Sequence, residues 1–541
     1  MRITKLIGAF ALAGGLVCAC RVSAQSGDDP RATHPALAAA VQDRQEFSPL
    51  NGNISLAEAV RRALSANANV VLQQLQVRAE DGNVQQSRGA YDLEGVGAVG
   101  REHAERPLRN SEIAAGSSTR AEFTNTTNYR AGVSRLLESG SQIELGLTVN
   151  AISSSLTPPQ QTAAALRFGI RVPLLRNAGG IQQSTALKAR ELERDASVED
   201  LVQASANAVI GVTQSYWELA SRIKRIEILK ESESRAEGLV AEITKLVTAD
   251  QIPGAELDLA QASAAEKRAA RFSEEQAFQI AWNALGRLLH ADTGEATIES
   301  LSTDPLPAVD QQAFALAESA LQRRQAAPDR RADVRAARLR ERAAYLQRLA
   351  AENGLKPQVD LIVAATTNGL AEGASALALG PALGLSRPLP SLGVGVELRV
   401  PFENNAARGL LLSQESAHGR SIVRMRDAER SVGPLVVTAA NTLRRITQRH
   451  RDTLAAADRY AVAVKNEYVK RRLGLSTLID VITVQDRLDS AQLLLLQLRQ
   501  EYAVAIVQLL FENGDLIRRD GDAYRVDMPT LTGAQPARAT Q

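Results

Sequence analysis

Gly95-Val-Gly-Ala-Val-Gly100 fits, letter for letter, the glycine pattern with which a strand-to-helix turn cradles a dinucleotide pyrophosphate. That chemistry needs a strand before the glycines and a helix N-terminus after them. Here a helical pattern precedes the motif and polar Arg101 and Glu102 follow it, so the segment reads as a glycine-rich strand. The five histidines, His34, His103, His290, His418 and His450, fall at no spacing that sets two metal ligands on one helix face. Both cysteines, Cys18 and Cys20, lie within the first 24 residues, so the chain after them holds no disulfide, thiolate metal site or cysteine nucleophile. The arginine groups Arg338, Arg340, Arg342 and Arg444, Arg445, Arg449 suit either solvated helix faces or the lining of a conduit. With no nucleophile, metal cluster or acid/base pair in view, no cofactor is expected and the residues point away from an enzyme. Trp217, inside a heptad-like stretch, reads as a packing residue.

The first 24 residues read as an export leader, with Arg2 and Lys5 ahead of an apolar stretch from Leu6 to Val17 and small residues after it. Two processing sites compete. Val22-Ser-Ala24 before Gln25 suits ordinary signal cleavage, whereas Val17-Cys-Ala-Cys20 is an imperfect lipobox that would leave Cys20 as an acylated N-terminus. The chain has 63 basic and 61 acidic residues, and the leader removes three of the basic ones, Arg2, Lys5 and Arg21, so charge gives no argument for nucleic acid. Beyond the leader there is no run of about 18 uninterrupted apolar residues to serve as a spanning helix, so a membrane would be entered as strands.

The elements around these residues are duplicated. A helical opening at Leu56-Ala-Glu58, strand-like segments ending at Val172-Pro173 and long helices recur from Leu316-Ala-Glu318 through Val400-Pro401. Gly169-Ile-Arg-Val-Pro-Leu-Leu-Arg-Asn-Ala-Gly-Gly180 is echoed by Val396-Glu-Leu-Arg-Val-Pro-Phe-Glu-Asn-Asn405. After the leader, residues 25–53 read as a flexible arm. The first repeat is placed at 54–305, with strands within 93–175 and helices over 181–290; the second at 306–517, with strands within 357–400 and helices over 405–511. Residues 518–541 read as a tail of little packed structure. A single opening helix is expected from Leu56 to about Ala90.

Ile143, Leu145, Leu147 and Val149 alternate with polar or small residues, as do Leu166, Phe168, Ile170 and Val172, and Val394, Val396, Leu398 and Val400. Such strands suit either a transmembrane barrel, apolar toward lipid and charged toward a wet lumen, or an antiparallel sheet with one solvated face. What favours the barrel is the length of the helices: tracts at 181–247 and 407–472 would each span about 100 Å at 1.5 Å per residue. Val209, Val212, Tyr216, Leu219, Ile223 and Ile226 step by three and four, the spacing that keeps one stripe against neighbours. Breaks at Asp250-Gln-Ile-Pro-Gly254 and Leu473-Gly-Leu-Ser-Thr477 each lead into a return helix of about 35 residues, giving two helical hairpins. Hairpins this long cannot bury their apolar surface alone, which points to oligomerisation.

From about 55 to 515 the chain resembles the TolC-like outer-membrane efflux proteins. The residues that carry the likeness are Leu56-Ala-Glu-Ala-Val60, Pro328-Asp329, Val172-Pro-Leu-Leu175 and Val400-Pro-Phe402, Tyr216-Trp217, and Leu473-Gly-Leu-Ser-Thr-Leu-Ile-Asp-Val481. The resemblance implies a mostly α protein with membrane β-strands, a duplicated strand and long-helix repeat. As a homotrimer it would form an outer-membrane β-barrel, seated in lipid, continued by a periplasmic α-helical barrel. It implies a passive exit duct of an efflux pump or type I secretion system, with a periplasmic adaptor (membrane fusion) protein and an inner-membrane transporter as partners. Adaptor docking would fall on the hairpin tips at Pro253, Gly254, Gly474, Leu475 and Ser476. Asp480 matches a family aspartate at the tunnel aperture, where Arg471 or Arg472 of the same or a neighbouring protomer is the expected counterpart. Ser476 stands where an arginine is often found, Arg471 replaces a tyrosine and Thr483 a second aspartate.

The two openings lie 260 positions apart and the two strand exits 228, so the first copy carries 32 extra residues between them. A hairpin of 121–137 and 141–153, joined at Glu138-Ser-Gly140, would account for them, either inside the barrel wall, making six strands per protomer instead of the usual four, or as an external loop. The alternative function is a periplasmic coiled-coil adaptor or scaffold of an export system, which would share the long hairpins but usually has only one. An exported hydrolase ranks third for want of any catalytic constellation.

Overall fold

The computed structural model describes residues 54–110, 120–156, 159–294, 301, 303–373, 389–520 and 523–526. The leader, Cys20, the arm at 25–53 and most of the expected tail lie outside them.

The chain opens with α1 (Leu56–Ala66) and α2 (Ala68–Arg88) rather than one continuous helix. Asn67 separates them. Its backbone is extended, its side chain accepts from Asn69 N at 3.0 Å, and its Nδ2 donates to Leu288 O at 3.1 Å. A short amide side chain that bonds the nearby backbone competes with the helical ladder, so the helix restarts there.

Four strands follow, β1 (Leu93–Pro107), β2 (Ala121–Leu136), β3 (Gln142–Ser154) and β4 (Gln161–Pro173). Then come α3 (Ile181–Thr248) and α4 (Ala255–Leu289), the short α5 (Gln312–Arg323) and α6 (Ala327–Arg330), and α7 (Ala332–Asn353). The second strand group is β5 (Gln358–Glu372) and β6 (Leu389–Arg399), followed by α8 (Asn405–Arg472) and α9 (Leu478–Glu512). The duplication is preserved to the residue in the helices: α3 and α8 each have 68 residues, α4 and α9 each 35. At 1.5 Å per residue the rods run about 100 Å.

All six long strands form one antiparallel sheet in sequence order. The extra hairpin of the first copy therefore belongs to this sheet, as β2 and β3 paired from Thr124–Ser154 to Leu136–Gln142. The segment with the dinucleotide-like glycines is the lower half of β1, a strand, without the helix N-terminus that a pyrophosphate site requires.

Along its far half from the tip, α3 packs against α2 and α7; near the tip it packs against α4 and α9, while α8 packs against α7 and α9. The helices thus form a curtain with α2 and α4 on one side and α8 on the other. Its main core lies mid-height, where Tyr216, Trp217, Phe278, Trp282, Leu443 and Leu498 are buried against α1 and α5. Tyr216 ties that core together: its hydroxyl donates to Ile54 O at 3.0 Å and accepts from Asp304 N at 2.7 Å. Burial pushes its phenol well above the usual range. By length and composition α9 could pass for a membrane span, but it lies along α8 and α3 with Leu498, Tyr502 and Leu509 buried, so its apolarity is explained by packing.

The expected unstructured tail begins instead as a small hairpin, β7 (Ile517–Asp520) with β8 (Ala523–Val526). Ile517 and Val526 pack on the main core.

Candidate functional site

Residues directly opposite in neighbouring strands share a face, so the register sorts the sheet into two surfaces. One carries Val133, Leu145, Phe168, Val363, Val394 and Val396; the other carries Arg130, Glu144, Arg167, Arg171, Asp360 and Glu397. The polar face is concave: a groove of about 540 Å³ on it is lined from five strands, Val96 of β1 to Thr366 of β5, and includes Arg130, Glu144 and Arg167. At its base Arg171 reaches Asp360 at 3.1 Å and Glu397 at 2.8 Å, a bridge over three strands. On the opposite face Leu392, Val394, Val396 and Leu398 are each about two-thirds exposed or more. Higher up the same face Val149, Ala151 and Ala164 are buried, so the apolar surface is barest along β6.

The other end of each rod is a tip. Both rods end in the same turn, in which the residue beyond the cap takes a left-handed backbone and the next two amides bond back into the last helical turn. At the first tip this residue is Asp250 (φ 53°), with Asp250 N to Val247 O at 3.0 Å and Gln251 N to Leu246 O at 2.9 Å. At the second it is Gly474 (φ 74°), with Gly474 N to Arg471 O and Leu475 N to Lys470 O, both 2.9 Å. Pro253, Gly254, Gly474 and Leu475 are exposed, Ser476 is half-buried, and Leu473, Leu475 and Ile479 present an uncovered apolar edge at the second tip.

Asp480 caps its own helix. Its carboxylate accepts from Thr477 N at 3.0 Å and Thr477 Oγ1 at 2.6 Å, while its amide donates to Thr477 Oγ1 at 3.3 Å. These bonds hold its carboxyl below the usual carboxylate range. Within the protomer neither expected arginine reaches it: Arg471, mostly buried, lies 3.9 Å from Glu242 of α3, and Arg472 is exposed. Lys470, Arg471 and Arg472 all occupy the last turn of α8, where cations suit the negative end of the helix dipole. Glu467 accepts from Ser476 and pairs with Lys470 at 3.0 Å, which lowers its carboxyl too. Thr477-x-x-Asp480 is a capping signature that the sequence displays openly.

A second polar cluster, three turns above, has no such local signal. Asp489 of α9 is buried and accepts from Ser232, from Arg235 at 2.7 Å and from Lys267 at 3.0 Å; Lys267 also reaches Asp486 at 2.6 Å. Burial alone would lower the Lys267 ammonium, and the two aspartates outweigh it, leaving the group above its ordinary value. The cluster joins α3 and α4 of the first hairpin to α9 of the second. Among the described residues no group of His, Cys, Asp and Glu could hold a metal ion.

No protein-family model and no curated protein matches this chain by sequence. Solved structures do match by shape. The outer-membrane channel OprN superposes with a TM-score of 0.62 over 85% of this chain and 90% of its own, at 15% identity. This is the TolC-like fold. The outer membrane protein VceC from Vibrio cholerae gives 0.61, covering 85% and 96% at 16% identity. The open state of the Neisseria gonorrhoeae MtrE outer membrane channel gives 0.57, covering 85% and 88% at 14% identity. In this fold the two features above belong to one long element. The sheet lies at one end of the rods, and the capped tips with the Asp489 cluster lie at the other.

Proposed function

We propose that the protein is the outer-membrane exit duct of a tripartite efflux pump or type I secretion system, a passive conduit for what an inner-membrane transporter delivers. The observation that carries this reading is the sheet: its concave side is charged, its other side is apolar and bare along β6, and it continues into rods of about 100 Å. The strands sit in the outer membrane and the helices cross the periplasm. A periplasmic scaffold would leave the uncovered apolar face without a partner.

Three copies form the tube. The curtain has two free sides, and both carry uncovered apolar residues, Phe272 and Ile280 on α4, Val423, Val462 and Val469 on α8. Packing one side of a protomer against the other side of the next is a head-to-tail contact that closes as a ring. The tips at Pro253, Gly254, Gly474, Leu475 and Ser476 dock a periplasmic adaptor, with Leu475 as the apolar contact. The tunnel mouth is held by the Asp489 cluster and by Arg471 against Glu242, with Asp480 shaping the turn that presents Arg471 and Arg472. The mature chain starts either at Gln25 or at an acylated Cys20, which mass spectrometry of the purified N-terminus distinguishes.

The test is to express the chain with its leader and follow it. The reading requires detergent-extractable, heat-modifiable trimers in the outer membrane that conduct in a planar bilayer. Salt-washable monomers in the periplasm would overturn it.

A further inference from the structure

Resting on the duct reading, we infer that β1 of one copy pairs antiparallel with β6 of the next, so that three copies close a barrel of eighteen strands in one defined register. Three observations lead there.

The first is parity. Six strands in strict up-and-down order leave β1 and β6 as the edges, running in opposite directions. A copy placed alongside therefore meets an antiparallel partner, which an odd number would not supply. Unpaired edges of 15 and 11 residues would otherwise be open templates for aggregation.

The second is the slope of the sheet. One hydrogen-bonded row runs from Leu93 through Arg135, Ile143, Ile170 and Val363 to Val394. Leu93 opens β1, but Val394 lies five residues from the end of β6 at Arg399. The base of the wall thus slips down the rows by about one residue per strand. A neighbouring β1 that starts level with Val400 continues that slip at six residues per copy. Eighteen residues around eighteen strands correspond to a tilt of about 35° at a rise of about 3.3 Å per residue and strand spacing of about 4.8 Å, within the range of membrane barrels. The even offset also keeps apolar positions on the apolar face.

The third is what this register brings together. Gly95 and Gly97 of the neighbour fall beside Leu398 and Val396, small beside large on the lipid side. On the lumen side the neighbour's Glu94, which has no ion-pair partner among the described residues, falls beside Arg399. The wall would measure about 34 Å across its backbone, against about 23 Å for twelve strands.

The chain after its leader has no cysteine, which makes the register directly readable. Two double variants, Gly97→Cys with Val396→Cys and Ala98→Cys with Gly395→Cys, cover adjacent positions. One of them falls at the closely spaced kind of cross-strand pair that a disulfide needs. An added Cβ at Gly97 or Gly395 meets nothing within 4 Å. Under mild oxidation one pair should give covalent trimers that reductant returns to monomers, while Gly97→Cys with Leu392→Cys, four residues out of register, should not. Amine cross-linking of the same membranes reports trimers independently. Trimers by amine chemistry with no disulfide from either pair would sink the closure and leave the duct; monomers by both would sink the duct itself.

Discussion

Arg235 of the first rod lies 2.7 Å from the Asp489 carboxylate of the second return helix, and Lys267 of the first return helix holds the same carboxylate from 3.0 Å. One buried side chain thus fastens three helices of two different hairpins. On the proposed duct reading, opening the tunnel mouth would separate those hairpins, and this carboxylate would oppose it. In Asp489→Asn the resting conductance of bilayer-inserted protein should rise, with a closed-to-open ratio about tenfold lower for each ~1.4 kcal/mol removed. Unchanged resting conductance would take Asp489 out of the latch.

The clamp at Tyr216 predicts a stability effect at a distance from either end. Tyr216→Phe leaves Asp304 N and Ile54 O without the hydroxyl that joins them, at about 1–3 kcal/mol for the stranded groups. Trp217→Ala beside it opens a cavity in the same core at about 3–5 kcal/mol. Thermal unfolding followed by circular dichroism should rank the two in that order, with wall insertion unaffected in the milder variant.

Asp480 titrates as a cap. Its folded pKa lies below the ordinary 3.8, so the stabilisation it gives is fully present above that value and is lost as pH falls through the depressed one. Amide protection at residues 478–482, the slowing of exchange relative to the unstructured rate at the same pH, should be high at neutral pH and fall below about pH 4. Asp480→Ala should show the low protection already at pH 7, and so should Thr477→Ala, which removes the reciprocal bond. Protection that persists in both variants would mean that something other than the cap orders the turn.

The two faces of β6 predict opposite tolerances. Val396→Arg places a charge on the lipid side, at about 2–4 kcal/mol near the bilayer midplane, and should deplete trimers from the outer membrane. Ser391→Arg on the lumen side should assemble normally and change ion selectivity instead. Equal assembly of both variants would contradict the assignment of the faces.

The helices were the most legible part of the chain. The repeat pattern places the rods at 181–247 and 407–472 and they run Ile181–Thr248 and Asn405–Arg472, because a three-and-four repeat bounded by breakers is a purely local pattern. The same patterns cannot show which copies of a motif tolerate substitution. The second copy closes its helices with Gly474 and Gly514 where the first uses Asp250 and His290 in the same left-handed backbone. There the hydrogen bonds of the turn impose a conformation that the residue type alone does not announce.

Alternation along single strands fixed which side of each strand is apolar, since side chains in a pleated chain point to opposite faces in turn. It could not say whether the hairpin of β2 and β3 joins the wall, because that depends on hydrogen bonds to β1 and β4, which belong to no one strand. Likewise Thr477 and Asp480, three residues apart, carry their cap within one helical turn, whereas Asp489 meets Arg235 and Lys267 across more than 200 residues of chain. Contacts within a turn are set by backbone geometry and are written in the sequence; contacts between hairpins exist only once packing has chosen which helices lie side by side.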